Sequence, residues 1–290
     1  MPANCTRSQF LKLSAAATIA PWTSLLAAPE SRGFQIGVCD WNLGLSANPK
    51  SLELAAQIGL DGVQVSFGPP GGKHDLRTPE ARELFRKAEE KHGTRMASLG
   101  MGVLNGSPYK SHPDTEQWVA DSVDAAKAAG LTVVLLAFFG KGDLKGDAKG
   151  TAEVIRRLKA VAPRAEKAGV ILGLETWLDV DEHLHILDSV GSPNVQVYYD
   201  LGNSNHRGYD IYKEIRMLGR KRICEIHAKD YAGKLFGQGQ VDFWEARRAL
   251  DDIGYRGWIQ IEGRQPFGLI DSYRHDANFL RAVFPPGPKT

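Results

Sequence analysis

Two hydrophobic periods alternate along the chain from Phe34 onward. Short runs rich in Val, Ile and Leu, typical of buried strands, are each followed by a longer stretch with apolar residues at helical spacing. The strands are expected at Phe34–Trp41, Gly62–Phe67, Arg95–Gly102, Thr132–Phe138, Val170–Thr176, Val195–Leu201, Ile223–Asp230 and Gly257–Gly263. The helices are expected at Ser51–Ile58, Pro79–Lys91, Thr115–Ala129, Ala152–Lys167, Val180–Ser189, Ile211–Leu218, Phe243–Asp252 and about Ser272–Phe284.

Strict alternation of eight strands with eight helices matches the size and order of a (β/α)₈ TIM barrel. A doubly wound open sheet is the other fold to weigh, but its phosphate-binding glycine turn is missing after the first strand. No linker or change of composition divides the later chain, so residues 30–290 are predicted to form one barrel domain. The glycine-rich stretch Gly140–Gly150 is expected to be a flexible loop on the active face.

The first 29 residues differ from the rest of the chain. No acidic residue precedes Glu30, and a short apolar, alanine-rich run follows Arg7 and Lys12. This pattern predicts a cleavable export signal. The segment Thr6–Lys12 resembles the twin-arginine signal but has Ser8 at the second arginine, so the Sec route stays open, as does a retained amphipathic anchor. The mature protein is expected in the periplasm, without stable insertion in the membrane.

The charge balance changes once the leader is set aside. The whole chain has 36 Lys and Arg against 34 Asp and Glu, and the two surplus cations lie in the leader. A neutral mature chain lacks the basic face that phosphate contacts require, which argues against a nucleic-acid partner. Three cysteines are too few for a disulfide scaffold.

The last four predicted strands each end with a side chain that can bind a metal: Glu175, Asp200, His227 and Glu262. The carboxyl ends of barrel strands converge on one face, where catalytic residues lie. The period-2 rule places all four side chains inward, with Glu225 one layer below and in need of a buried partner. Three carboxylates and one histidine form an oxygen-rich site for one divalent ion. Mn²⁺ or Mg²⁺ is favoured, and Co²⁺, Fe²⁺ and Zn²⁺ remain open.

The motifs around these residues resemble the sugar phosphate isomerase/epimerase superfamily, the xylose isomerase-like TIM barrels. The segments that carry the resemblance are Gly173–Glu175, Tyr199–Asn203, Ile226–Asp230 and Ile261–Gly263. The resemblance implies that the four strand-end residues hold the metal and that Glu175 and Glu262 also act as the acid/base pair. The implied reaction moves a proton next to a carbonyl of a sugar or polyol through an enediolate.

Several further residues are candidates for binding the substrate. Lys229 and Arg264 lie two residues beyond a metal ligand and could grip a substrate oxygen, with a surface ion pair as the alternative for each. Asn203 stands where the family often has a substrate-contacting histidine, and His206 could take over that contact from the loop. Aromatic rings near strand ends suit a sugar face or ordinary packing, namely Trp41, Phe138 and Trp177.

Other functions remain to be weighed against the isomerase or epimerase. The same site could eliminate a leaving group from a keto-sugar, which would make the protein a lyase or dehydratase. An endonuclease IV-like enzyme would need more histidines at the ends of strands two to four, and a carbohydrate-binding barrel without catalysis would not need four intact ligands. The expected partner is a small carbohydrate, and a homo-oligomer is left open.

Overall fold

Eight parallel strands close into a barrel in the computed structural model, which describes residues 33–231 and 235–287. Each strand pairs with its neighbours in sequence, and β1 pairs with β8 to close the barrel. The predicted TIM-barrel fold is therefore confirmed, while the predicted export segment lies outside the described residues. The strands are β1 Gln35–Cys39, β2 Gly62–Ser66, β3 Arg95–Met101, β4 Val133–Phe138, β5 Ile171–Thr176, β6 Val195–Asp200, β7 Ile223–Ala228 and β8 Trp258–Ile261.

Helices connect consecutive strands over most of the described chain. They are α1 Lys50–Ile58, α2 Pro79–His92, α3 Thr115–Ala128, α4 Ala148–Ala168, α5 Val180–Val190, α6 Leu201–His206, α7 Ile211–Leu218, α8 Phe243–Asp252 and α9 Leu269–Val283. Short 3₁₀ turns occupy Gly102–Asn105, Gly140–Gly142 and Arg220–Arg222. The eight predicted helices are all present, and helix α6 was not predicted from the sequence.

The loop expected at Gly140–Gly150 is shorter in the structure, since a 3₁₀ turn occupies Gly140–Gly142 and helix α4 begins at Ala148. The Asp147 side chain caps this helix by accepting a hydrogen bond from the Gly150 backbone N–H at 2.8 Å. A side-chain acceptor at this position satisfies one of the free N–H groups of the first helical turn. Helix α4 therefore begins four residues before the expected Ala152.

The two faces of the barrel wall differ in composition. Side chains that point away from the barrel axis are apolar and pack against the helices, including Val197, Ile226, Ile259 and Ile261 as the strand phase predicts. Inside the barrel, β4 and Tyr198 form a small apolar cluster. The opposite half of the interior carries buried polar side chains, namely Gln64, Ser98, Glu225 and Gln260. No helix among the described residues is long and apolar enough to cross a membrane.

Candidate metal centre and substrate cavity

Four side chains that could hold a metal ion meet at the carboxyl end of the barrel. Glu175 comes from β5, Asp200 from β6, His227 from β7, and Glu262 directly follows β8. In the sheet register Asp200 lies opposite His227, so strand pairing brings their side chains to the same level. One ligand atom of each residue lies within 4.8 Å of the corresponding atom of every other. The four strand-end residues predicted from the sequence therefore form a compact cluster that could hold one metal ion.

His227 lies at the centre of the cluster and is fully buried. Its Nδ1 faces the carboxylates, at 3.1 Å from Glu175 Oε1 and 3.6 Å from Glu262 Oε2. Its Nε2 points the other way, at 2.8 Å from the amide oxygen of Gln64. Burial alone would lower the pKa of this imidazole, but the surrounding carboxylates, Glu175 foremost, raise it to about 9.

The two carboxylate oxygens of Asp200 have different surroundings. Its Oδ1 accepts a hydrogen bond at 2.8 Å from the backbone N–H of Asn203 and thereby caps the short helix α6. Its Oδ2 is buried and has no hydrogen-bond partner among the described residues. Burial raises the pKa of this carboxyl well above its usual range. An unpartnered, buried carboxylate oxygen that faces a histidine nitrogen and two more carboxylates fits a hard divalent cation.

Glu262 is surrounded by hydrogen-bond donors. Lys229 Nζ lies 2.9 Å from its Oε2, and Trp41 Nε1 donates to its Oε1 at 3.2 Å. Burial raises the pKa of this carboxyl, but the charges of His227 and Lys229 outweigh it and hold the pKa below its usual range. The Lys229 ammonium also lies 3.7 Å from Asp200 Oδ2. The sequence expectation that Lys229 lies at the barrel mouth is met, and the lysine faces the metal-binding cluster itself.

Asn203 connects the cluster to the outer part of the site. Its amide nitrogen donates to Glu175 Oε1 at 3.1 Å, and its amide oxygen accepts from the Tyr231 hydroxyl at 2.8 Å. The Tyr231 ring stacks on His206, with ring centres 4.4 Å apart. His206 is exposed at the rim, so it lies outside the buried position that Asn203 occupies.

A cavity of about 590 Å³ opens above the cluster. Glu175 and Glu262 lie at its floor with Lys229 and Asn203, while the loops after β1 to β5 supply most of the wall. Its aromatic and apolar lining is made of Trp41, Phe67, Val103, Leu135, Ala137, Phe139, Trp177 and Tyr231. A mostly apolar wall with a few polar groups at one end is typical of small-molecule sites.

Two of the predicted substrate contacts are placed elsewhere. Phe138 is fully buried among the helix-packing residues and does not line the cavity. The register pairs Ala137 with Glu175, so Ala137 shares the inward phase and Phe138 points outward. Phe139, the next residue, lines the cavity instead. Arg264 is exposed and does not belong to the cavity lining. Of the two predicted cationic contacts, Lys229 is therefore the one that lies beside the cluster.

Three residues of the site were not among the predicted contacts: Gln64, Tyr231 and Phe139. Gln64 had a detectable signal, since it is a long polar side chain at an inward position of β2, between Val63 and Val65. Tyr231 follows the β7 motif immediately and could have been found by extending that motif by one residue. Phe139 lies one residue past β4, where strand phase no longer constrains the direction of a side chain.

The chain is similar in sequence to known proteins. A family model described as a xylose isomerase-like TIM barrel matches residues 52–283. A 2-epi-5-epi-valiolone 7-phosphate 2-epimerase of Actinoplanes sp. is 27% identical over 197 residues, which cover 68% of this chain and 72% of the relative. A putative L-ribulose-5-phosphate 3-epimerase of Escherichia coli K12 is 24% identical over 262 residues, covering 80% of this chain and 89% of the relative.

Solved structures share the fold at lower sequence identity. A D-psicose 3-epimerase, crystallised in the presence of D-fructose, superposes with a TM-score of 0.73 at 16% identity, covering 86% of this chain and 99% of that one. A 3-keto-D-glucoside 4-epimerase of Escherichia coli gives a TM-score of 0.71 at 15% identity, with 86% and 99% covered. At these identities the likeness establishes the common barrel.

Proposed function

Because this chain belongs to the xylose isomerase-like TIM barrel family, we propose that it is a divalent-metal-dependent epimerase acting on a sugar or polyol. Its named relatives are sugar epimerases, and the chain is accordingly an enzyme of the isomerase and epimerase type. The observation that carries the proposal is the cluster of Glu175, Asp200, His227 and Glu262, whose ligand atoms lie within 4.8 Å of one another below an open cavity.

The four clustered residues would hold one divalent ion, with Mn²⁺ the first candidate from the oxygen-rich ligand set. When bound, the ion would polarise the substrate carbonyl and stabilise negative charge on its oxygen. Lys229 adds a fixed positive charge beside Glu262.

The two glutamates supply the proton transfers in this proposal. Glu175 and Glu262 follow strands that are separated by β6 and β7, so they approach the cavity from different sides of the barrel mouth. One carboxylate removes the proton from the carbon next to the carbonyl, and the other returns a proton to the opposite face of the same carbon. The donors that hold them differ: Asn203 binds Glu175, and Lys229 with Trp41 binds Glu262.

The decisive test follows hydrogen exchange during turnover. Free and phosphorylated ketoses would be incubated in D₂O with the enzyme and Mn²⁺, or with EDTA, and analysed by NMR. We expect deuterium at the epimerised carbon and loss of turnover in EDTA. Epimerisation without deuterium uptake, or full activity after removal of the metal, would contradict the proposal.

Variants of the two glutamates test their roles. Glu175→Gln and Glu262→Gln should each abolish turnover, because an amide cannot exchange the proton. Glu182→Gln is the matched control, since that glutamate forms an ion pair with Lys145 outside the cavity. A glutamine variant at position 175 or 262 that keeps most of its activity would remove that residue from the acid/base pair.

A further inference from the structure

A chain of buried hydrogen bonds leads from the metal cluster down into the barrel. His227 Nε2 lies 2.8 Å from the amide oxygen of Gln64, and the Gln64 amide nitrogen donates to Ser98 Oγ at 3.2 Å. Ser98 Oγ in turn donates to Glu225 Oε2 at 2.8 Å. All four side chains are at most 2% exposed, so water does not compete for these bonds. Glu225 thus reaches the cluster through two intermediate side chains.

The direction of this chain follows from what each group can do. The accepting oxygen of Glu225 receives a second hydrogen bond, at 2.9 Å, from the Tyr198 hydroxyl. Ser98 has a single hydroxyl proton, and donating it to Glu225 leaves the Ser98 oxygen free to accept. The amide group of Gln64 must therefore turn its nitrogen toward Ser98 and its oxygen toward His227.

The orientation of Gln64 decides which nitrogen of His227 carries the proton. An amide oxygen only accepts, so the neighbouring Nε2 must donate, and it is Nδ1 that gives up its proton and offers a lone pair when the imidazole becomes neutral to bind an ion. The Cys39 sulfur lies 3.4 Å from the same amide oxygen and 3.4 Å from His227 Nε2, and with Nε2 protonated its thiol donates to the amide oxygen. Nδ1 is the nitrogen that faces Glu175 and Glu262.

We infer that Glu225 is a positioning residue: through Ser98 and Gln64 it holds the proton of His227 on Nε2 and leaves Nδ1 to bind the divalent ion. The inference rests on the proposed metal-dependent function and adds residues to which that proposal gives no role. If Gln64 turned over, its nitrogen would face His227 Nε2, and the proton would be driven onto Nδ1, where the ion must bind.

A glutamine in place of Glu225 should release this constraint. Its amide can either donate to Ser98 or accept from it, so the chain loses its fixed direction. We expect Glu225→Gln to weaken Mn²⁺ binding by about tenfold to 100-fold, the usual range when a partner of a metal-ligating histidine is disturbed. Tyr198→Phe is the matched control, because it removes a hydrogen bond to the same Glu225 oxygen without interrupting the chain.

A rescue experiment separates the effect of hydrogen-bond direction from an effect on side-chain packing. Gln64→Glu places an acceptor-only group next to His227 Nε2, so the direction no longer depends on Glu225. The double variant Gln64→Glu/Glu225→Gln should therefore bind Mn²⁺ nearly as tightly as the wild type. If Glu225→Gln fails to fold, Ser98→Ala removes the hydroxyl that joins Gln64 to Glu225 in the same chain. It should weaken Mn²⁺ binding in the same way.

Metal binding would be measured from the electron paramagnetic resonance signal of free Mn²⁺, with thermal melting as the check on folding. Independently, ¹⁵N NMR of the Mg²⁺-loaded wild type should show the His227 proton on Nε2. A proton on Nδ1, equal Mn²⁺ affinity in Glu225→Gln and the wild type, or failure of the rescue would each overturn the inference. A wild type that binds no Mn²⁺ would instead refute the proposed metal dependence.

Discussion

Replacing Lys229 by methionine should destabilise the metal-free protein far more than replacing Lys145, whose two carboxylate partners are more exposed. Lys229 Nζ lies 2.9 Å from Glu262 and 3.7 Å from Asp200, whose side chains are 19% and 1% exposed. Lys145 forms the same kind of pair of contacts, at 2.6 Å to Glu182 and 3.2 Å to Asp179. The side chains of Glu182 and Asp179 are 37% and 35% exposed, so water can solvate them when the lysine is removed.

The expected size of the effect follows from this difference in burial. Two unit charges about 4 Å apart attract by about 4 kcal/mol at an effective dielectric constant near 20. Removing one partner of a buried pair costs about 3–5 kcal/mol, because the remaining charge stays desolvated. Exposed pairs contribute about 1 kcal/mol or less. Lys229→Met should therefore lose roughly 3 kcal/mol or more of unfolding free energy in EDTA, and Lys145→Met much less.

Urea unfolding followed by tryptophan fluorescence, in EDTA and in Mn²⁺, would measure both effects. In Mn²⁺ the stability of Lys229→Met should rise more than that of the wild type, since the ion supplies the positive charge that the variant lacks. Equal losses in the Lys229 and Lys145 variants would refute the argument from burial. Equal gains on adding Mn²⁺ would refute the argument that the lysine and the ion compensate the same carboxylates.

Three further expectations concern other parts of the chain. Burial raises the pKa of Asp40 from 3.8 to about 6, so Asp40 binds a proton more tightly in the folded protein than in the unfolded chain. The free energy of unfolding should therefore fall as pH rises from about 4 to about 6, by up to about 3 kcal/mol. Asp40→Asn should remove this pH dependence from urea unfolding curves. A Cβ at Gly202 would lie 2.7 Å from the Lys229 backbone, so Gly202→Ala should lower kcat while circular dichroism still reports a folded barrel. Expression of the full chain in bacteria should yield a mature protein cleaved near Ala28, as N-terminal sequencing would reveal; a protein still beginning at Met1 would contradict the predicted leader.

Strand phase explains why the barrel and the metal-binding cluster could be predicted from the sequence. Each of the four clustered residues lies within one residue of a strand end, where the alternation of inward and outward side chains still applies or has just ended. Glu175 and His227 therefore follow from counting along β5 and β7 alone. The same count also puts Glu225 inside the barrel, where the structure gives it two hydrogen bonds.

The remaining errors arise where strand phase ends or where two distant segments meet. Phe138 was correctly placed at the end of its strand but was taken as a ring that could reach a sugar, whereas its phase in β4 points outward. Helix α6 depends on the Asp200 side chain acting as a cap, and a metal-binding residue was not considered for that second role. Gln64 and His227 are 163 positions apart, so their hydrogen bond depends on closure of the whole barrel.

The charges of the cluster explain why a lysine belongs among the metal-binding residues. Once His227 has lost its second proton to bind an ion, three ionised carboxylates would place three negative charges around a neutral imidazole, at a site where unpaired charge is costly. Lys229 offsets one of them, and a divalent ion offsets the other two, so the loaded cluster is neutral. A monovalent ion would leave one buried negative charge without a partner.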